Sequence, residues 1–242
     1  MKEKSQQMLS QNEVIFYCTR AAVGVGAPYG LAEEFAHWAV WFGCSDLDPA
    51  PVCLAALKSL DEGRSDLHGK ITRKPKEWRL SSNSRKVLSA IQTGCFVTDW
   101  LSDQHDDDEE LVMEEIDSPF LVAAAVGTAT SKACSISWNN DSCRMNFEPN
   151  QNWELFWDGE NPPEIPGPST VILSMNPELS IPAQLYSNKT CNFEKTRQHS
   201  LNQGISTGKE WNSIMTYFKR CLVPSTTKSR EVGAGAGLVD TD

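Results

Sequence analysis

One predicted helix carries the residues best suited to acid–base chemistry. The stretch PYGLAEEFAHWAVWF begins at Pro28 and contains Glu33, Glu34 and His37. Glu33 and His37 are four residues apart, so a helix places them on one face. A carboxylate and an imidazole at this spacing can form a general acid–base pair or half of a metal site. We predict a catalytic role for these three residues and no bound metal, and a solvated helix face with one side-chain pair is the alternative.

A second candidate site lies in the C-terminal tail, residues 223–242, which ends in GAGAGLVDTD. Glycine loses more conformational entropy than any other residue when it is ordered, so an ordered GAGAG segment needs a compensating contact with a ligand or another chain. The terminal carboxylates can bind a cation or an arginine. The candidate ligand-binding residues are Ser229, Arg230, Gly233, Gly235, Gly237, Asp240 and Asp242. We expect the tail to be ordered, either docked on its own or a neighbouring subunit or placed directly in a site; a disordered end is the alternative.

Familiar catalytic motifs are absent from the sequence. It contains no nucleophile elbow, P-loop or dinucleotide fingerprint. The eight cysteines include no CxxC pair and no zinc-finger spacing. Scattered cysteines of this kind are typical of small buried side chains in a reducing compartment. The sequence therefore names no cofactor.

Most of the net charge of −10 is concentrated in one stretch. Nine of the 32 acidic residues lie between Asp103 and Asp117, and the rest of the chain is nearly neutral. We interpret residues 103–117 as a solvated acidic loop. The absence of a basic stripe argues against nucleic-acid binding. No run of about 18 apolar residues is present to span a membrane, and the N-terminal stretch lacks the apolar segment of a secretion signal. We expect a cytoplasmic protein.

The positions of these candidate sites depend on a few helices. Ser10 and Glu13 form a capping box at the start of the first helix. Pro28 begins the second helix, and further helices are expected near residues 50–60 and 85–101. Thr207 and Glu210 suggest another capping box before a final helix, and Pro224 ends it.

Between these helices the pattern changes to that of strands. Residues 118–130, SPFLVAAAVGTAT, read as a buried strand. The next stretch alternates apolar and polar residues around a turn at Asn140 and Asp141, which predicts an antiparallel hairpin with one wet face. Its apolar face comprises Cys134, Ile136, Trp138, Cys143, Met145 and Phe147. Strands at 152–157 and 169–175 follow. The predicted class is α+β: N-terminal helices, a central antiparallel meander sheet, a C-terminal helix and the glycine-rich tail, in one domain spanning residues 1–242.

Both ends of the chain resemble an uncharacterised bacterial family, a domain of unknown function. The positions that carry the likeness at the start are Asn12, Glu13, Arg20, Ala21, Gly26, Gly30, Leu31, Ala32, Glu33 and Glu34. Those at the end are Val223, Pro224, Ser229, Arg230, Gly233, Gly235, Gly237, Asp240 and Asp242. The resemblance implies no reaction.

Two functional hypotheses follow. The first is an enzyme of small-molecule metabolism with a pocket near the helix at 28–43 and the tail. The second is a non-catalytic accessory or assembly subunit whose tail docks on a partner or on another copy of the chain. The position of the tail relative to any cleft discriminates between them.

Overall fold

The fold is a layer of helices packed against one face of a mixed β-sheet. We describe it from a computed structural model, which covers residues 7–103, 108–139, 142–159, 167–175 and 187–222. The helices are α1 Gln11–Gly24, α2 Tyr29–Cys44, α3 Pro49–Asp61, α4 Ala90–Ser102, α5 Pro119–Ala129, α6 Phe193–Gln203 and α7 Trp211–Phe218. The tail, with all of its candidate site residues, lies outside the described residues.

The strands form one large sheet and one small one. They are β1 Gln7–Leu9, β2 Ser65–Asp66, β3 Gly69–Lys74, β4 Glu77–Ser82, β5 Val87–Leu88, β6 Glu110–Ile116, β7 Cys134–Trp138, β8 Cys143–Phe147, β9 Trp153–Trp157, β10 Ser169–Ser174, β11 Ser187–Cys191 and β12 Ile205–Thr207. The large sheet runs β11, β9, β8, β7, β10, β6, β4, β3, and β5 joins it beside β6. β1 and β12 pair separately.

The α+β class is confirmed, but the prediction of a purely antiparallel meander holds only in part. The consecutive strands β7, β8 and β9 do form an antiparallel meander. β4 and β5, however, run parallel to β6. A parallel neighbour requires a crossover through other elements, which local alternation in the sequence does not reveal.

The predicted hairpin is confirmed in its register. Trp138 lies opposite Cys143, and Cys134 lies opposite Phe147. Trp138 is buried against α5, where its ring lies 5.6 Å from that of Phe120. The polar face is less exposed than expected, because Arg144 is only 7% exposed and donates a hydrogen bond to Ser135 Oγ at 2.9 Å.

Residues 119–129 form a buried helix, α5, and not the expected strand. An apolar run cannot be assigned to strand or helix by its periodicity alone when every face is buried. Here Pro119 occupies the first turn, where proline is tolerated, and the following alanines favour the helix. In the structure α5 packs against α2 and α4 and contributes Leu121 through Val126 to the core.

The prediction of an acidic loop at residues 103–117 is wrong for residues 110–116. They form β6, an inner strand whose Leu111 and Met113 are fully buried. The basic stretch at residues 70–78 lies in β3 and the start of β4, and β4 pairs with β6. Arg73 pairs with Glu109 at 3.0 Å, so opposite charges from distant segments neutralise each other once the sheet has formed.

Of the two capping boxes predicted from the sequence, the structure contains one. Ser10 and Glu13 form the expected capping box of α1. The second predicted box is wrong, because Thr207 belongs to β12 and α7 has no side-chain cap. α6 was not anticipated. Within the described residues, no helix is both long enough and apolar enough to cross a membrane.

Candidate functional site

A cleft of about 730 Å³ opens beside the C-terminal end of α2. Three segments supply its charged and imidazole side chains: the loop between α2 and α3, one face of α6, and the turn between β12 and α7. The charged and imidazole groups among the lining residues are Asp46, Asp48, Lys195, His199, Lys209 and Glu210. Segments separated by about 150 residues in the chain therefore converge on one volume.

The loop after α2 is shaped by its own sequence. α2 ends at Cys44, and Asp46 adopts a left-handed conformation with φ of 56° that turns the chain. Asp48 precedes Pro49 and caps α3, because its Oδ1 accepts a hydrogen bond from the amide of Ala50 at 2.9 Å. A capping aspartate followed by proline is a common start of a helix, so this part of the cleft is determined locally.

Asp48 also joins the loop to the turn before α7. Its Oδ2 accepts a hydrogen bond from the amide of Gly208 at 2.9 Å. A Cβ atom on residue 208 would lie 2.6 Å from Asp48 Oδ2 and 3.1 Å from Glu210 Oε2. Glycine at this position therefore allows two carboxylates to approach the same backbone.

The two carboxylates influence each other. Desolvation in the cleft raises the pKa of Asp48, the hydrogen bonds from Ala50 and Gly208 lower it, and the negative charge of Glu210 raises it further. Lys209 Nζ lies 3.8 Å from Glu210 Oε1, but the Lys209 side chain is 83% exposed. A loose pair of this kind leaves Glu210 accessible to a ligand.

Behind Ser200, which lines the cleft, lies a neutral hydrogen-bonded cluster. Ser200 Oγ lies 3.2 Å from Cys44 Sγ, and Gln11 Nε2 donates to both atoms. Burial raises the pKa of the Cys44 thiol, so this thiol stays protonated at neutral pH and is a poor nucleophile. The cluster fixes α6 against α1 and α2.

The arrangement is suited to polar binding and proton transfer. Lys195 and His199 are four residues apart on α6 and both line the cleft. An imidazole and a carboxylate with a raised pKa are the usual groups of general acid–base chemistry. In the part of the chain that the structure describes, no three histidine, cysteine or acidic residues are grouped to hold a metal ion.

The three residues proposed from the sequence lie elsewhere on α2. Glu33, Glu34 and His37 are exposed and do not line this cleft, to which α2 contributes Gly43. Sequence reasoning missed Asp48, His199 and Gly208. The Asp48–Pro49 pair was a recognisable capping signal, but His199 has no motif partner in the sequence.

Solved structures of dehydrogenases have a similar fold. Malate dehydrogenase from Entamoeba histolytica aligns with a TM-score of 0.56 at 7% identity, over 91% of this chain and 99% of that one. A putative malate/lactate dehydrogenase from E. coli gives 0.55 at 10% identity, over 90% and 96%. Sulfolactate dehydrogenase from Methanocaldococcus jannaschii gives 0.50 at 9% identity, over 89% and 96%. At these identities the likeness concerns the fold alone.

Sequence comparison adds one further finding. No curated protein matches the chain significantly. Residues 9–74 match the profile of a protein of unknown function, DUF3726. This segment contains α1, α2, α3 and the Asp46–Asp48 loop of the cleft. The resemblance to a domain of unknown function is therefore confirmed, over residues 9–74.

Proposed function

We propose that the protein is an enzyme of small-molecule metabolism and that the cleft beside α2 is its active site. The observation that carries this proposal is the convergence of Asp48, Glu210 and His199 on one volume of about 730 Å³. This size falls in the range of ligand pockets, roughly 300–1,000 Å³. In such a site the paired carboxylates and the imidazole exchange protons with a bound substrate.

We also propose that the protein is located in the cytoplasm. All eight cysteines are free thiols, which supports a reducing compartment and a cytoplasmic location. We further propose that Ser229, Arg230 and the tail carboxylates reach the substrate, because a glycine-rich segment can pass close to a ligand. Glu33, Glu34 and His37 remain a second proposed acid–base group on the exposed face of α2.

The similar structures suggest which substrates to test first. They are dehydrogenases of malate, lactate and sulfolactate, and these compounds are small hydroxylated anions. We therefore begin a binding panel with these compounds and extend it to other small polar metabolites. Binding is measured as the shift of the thermal unfolding midpoint, since a ligand that binds the folded state stabilises it.

The assignment of the cleft is tested with one blocking variant and one matched control. Ser206→Trp fills the cleft from β12, where a large aromatic is tolerated in a strand. Ser213→Trp introduces the same side chain at an exposed site on α7 outside the cleft. We expect Ser206→Trp alone to abolish the ligand-induced shift. An equal shift in both variants assigns binding to another surface and refutes the proposal.

The double variant Glu33→Gln/His37→Gln separates the two candidate acid–base groups. If turnover of a bound compound survives this change and is lost in His199→Gln, the reaction belongs to the cleft. The reverse result assigns it to the exposed face of α2.

A non-catalytic accessory subunit is the second candidate function. The observation in its favour is the pair of exposed apolar side chains at Met8 and Leu201, which are 52% and 51% exposed. Exposed apolar side chains that cluster mark contact sites between subunits. Light scattering on wild type and Leu201→Glu tests this reading, because a contact at this surface predicts loss of the larger species in the variant.

A further inference from the structure

With the exception of Lys209, the charged residues that line the cleft are segregated by sign onto different segments. The carboxylates of Asp46, Asp48 and Glu210 come from the loop after α2 and the turn before α7. We call these two segments the acidic wall. Lys195 and His199 come from α6, which we call the basic wall. A ligand that lies between the walls meets negative charge on one side and hydrogen-bond donors on the other.

The acidic wall is held in place before any ligand arrives. The bond from the Gly208 amide to Asp48 ties its two segments together. Lys189 Nζ donates to the backbone oxygen of Asp46 at 3.1 Å and fixes the turn from the β11 side. Glu210 disfavours ionisation of Asp48, and an incoming cation relieves this repulsion. The exposed Lys209 ammonium lies 3.8 Å from Glu210 and neutralises this wall only in part, so a positive charge on a ligand complements it.

The basic wall is fixed just as firmly. Asn192 caps α6 by accepting a hydrogen bond from the amide of Lys195. Ser200, one residue after His199, is hydrogen-bonded to Gln11 at 3.2 Å. The helix cannot easily rotate, so Lys195 and His199 keep facing the cleft. The Lys195 side chain lines the cleft and is exposed, which leaves its ammonium group available for an anion.

We propose that the cleft binds a zwitterionic small molecule, with its ammonium group on the acidic wall and its carboxylate on Lys195 and His199. This inference rests on the proposed function and narrows its substrate class to amino acids and short peptides. Hydrogen bonds between ionised partners are the strong ones, and two of opposite sense also fix the orientation of the ligand. A hydroxy acid of the same shape satisfies only the basic wall.

Matched ligand pairs provide the test. Titration calorimetry compares L-aspartate with L-malate, L-alanine with L-lactate, and glycylglycine with glycolylglycine, because each pair exchanges an ammonium group for a hydroxyl. We expect the zwitterion of at least one pair to bind about tenfold or more tightly than its partner. Glu210→Gln should weaken the zwitterion about tenfold and leave the hydroxy acid unchanged, whereas Lys195→Gln should weaken both.

The outcomes separate this inference from the proposed function. The inference is overturned if the hydroxy acids bind as tightly as the zwitterions or more tightly. It is also overturned if Glu210→Gln leaves the affinity for the zwitterion unchanged. Both results leave the active-site assignment intact. Failure of all six compounds also overturns it. Failure of the whole metabolite panel, with Ser206→Trp behaving as Ser213→Trp does, overturns the proposed function itself. Thermal unfolding midpoints of Glu210→Gln and Lys195→Gln serve to exclude misfolding. Both should match wild type within about 2 °C, because surface substitutions are nearly neutral.

Discussion

The β7–β8 hairpin and the parallel pair of β4 and β6 belong to one sheet. The arginine side chains of the two regions find their partners at different distances along the sequence. In the hairpin, Arg144 pairs with Ser135 and Asn146 on strands that adjoin in sequence. In the other pair, Arg79 lies between Glu77 on its own strand and Glu114 on β6. Ser135 and Asn146 lie 9 and 2 residues from Arg144 in the sequence, whereas Glu114 lies 35 residues from Arg79.

This difference explains why one region was predicted and the other was not. Alternation of apolar and polar residues fixes the face of each hairpin strand. A stretch dense in one charge looks like a solvated loop until the opposite charges that neutralise it are placed beside it. High charge in a sequence is therefore a reliable sign of a loop only where no complementary segment exists elsewhere in the chain.

Truncation of a buried side chain in each region should have the largest effect. Trp138→Ala in β7 should lower the free energy of unfolding by about 3–5 kcal/mol and Met113→Ala in β6 by about 2–5 kcal/mol, because both side chains are fully buried. Urea unfolding measures both changes. Phe156→Ala, on the partly exposed face of β9, is the control. A cost below about 1 kcal/mol for Met113→Ala, far under the usual range for buried methionine, would mean that β6 is not part of the core.

Asp117, which directly follows β6, should make stability depend on pH. Burial raises its pKa to about 6, while hydrogen bonds including that from the Ala90 amide lower it. Because the folded-state pKa lies above the ordinary value, the protonated folded form is favoured. This stabilising contribution is complete below about pH 4 and is lost as the pH rises through about 6.

The variant Asp117→Asn isolates this effect, because asparagine does not titrate. Between pH 4 and 7, the free energy of unfolding of wild type should fall relative to the variant by about 2–3 kcal/mol. Chemical denaturation across this range measures the difference. A difference that is constant with pH would show that the carboxyl of Asp117 is well solvated in the folded protein.

Removal of the ion pairs of β4 should have a smaller effect on the free energy of unfolding. Arg79→Gln removes a guanidinium that is about one-third exposed and pairs with both Glu77 and Glu114. The expected cost is about 1 kcal/mol at low salt, decreasing as salt screens the charges. Ser135→Ala in the hairpin is the comparison, because it removes a neutral hydroxyl acceptor and no charge. Equal salt dependence in the two variants would contradict the contrast between the regions.

The smallest effect is expected at Lys76, which pairs with Asp108 on the surface. Both side chains are more than half exposed, at 69% and 57%. Lys76→Gln should change the free energy of unfolding by less than about 0.5 kcal/mol. If it costs as much as Arg79→Gln, exposure is not what sets the strength of these pairs, and the loop outside β6 is more tightly held than its exposure indicates.

Local signals in the sequence determined a definite part of the fold. The capping box at Ser10 and Glu13 starts α1, and the alternation around Trp138 sets the hairpin register. Each of these features depends on residues within a few positions of one another. They form the same way wherever the segment is placed, so they can be predicted without knowledge of its neighbours.

The tertiary structure alone decided the rest. The alanines of residues 119–129 favour a helix, but only packing among other helices decided between a helix and a buried strand. Residues 110–116 became a strand because β4 and β10 flank them. The cleft could not be predicted from the sequence either, since Asp48 and Gly208 meet only after α3 and α7 have packed together. The sequence determined which side chains are available for chemistry. Their grouping by position and charge arises from long-range packing, which brings together residues that no local pattern relates.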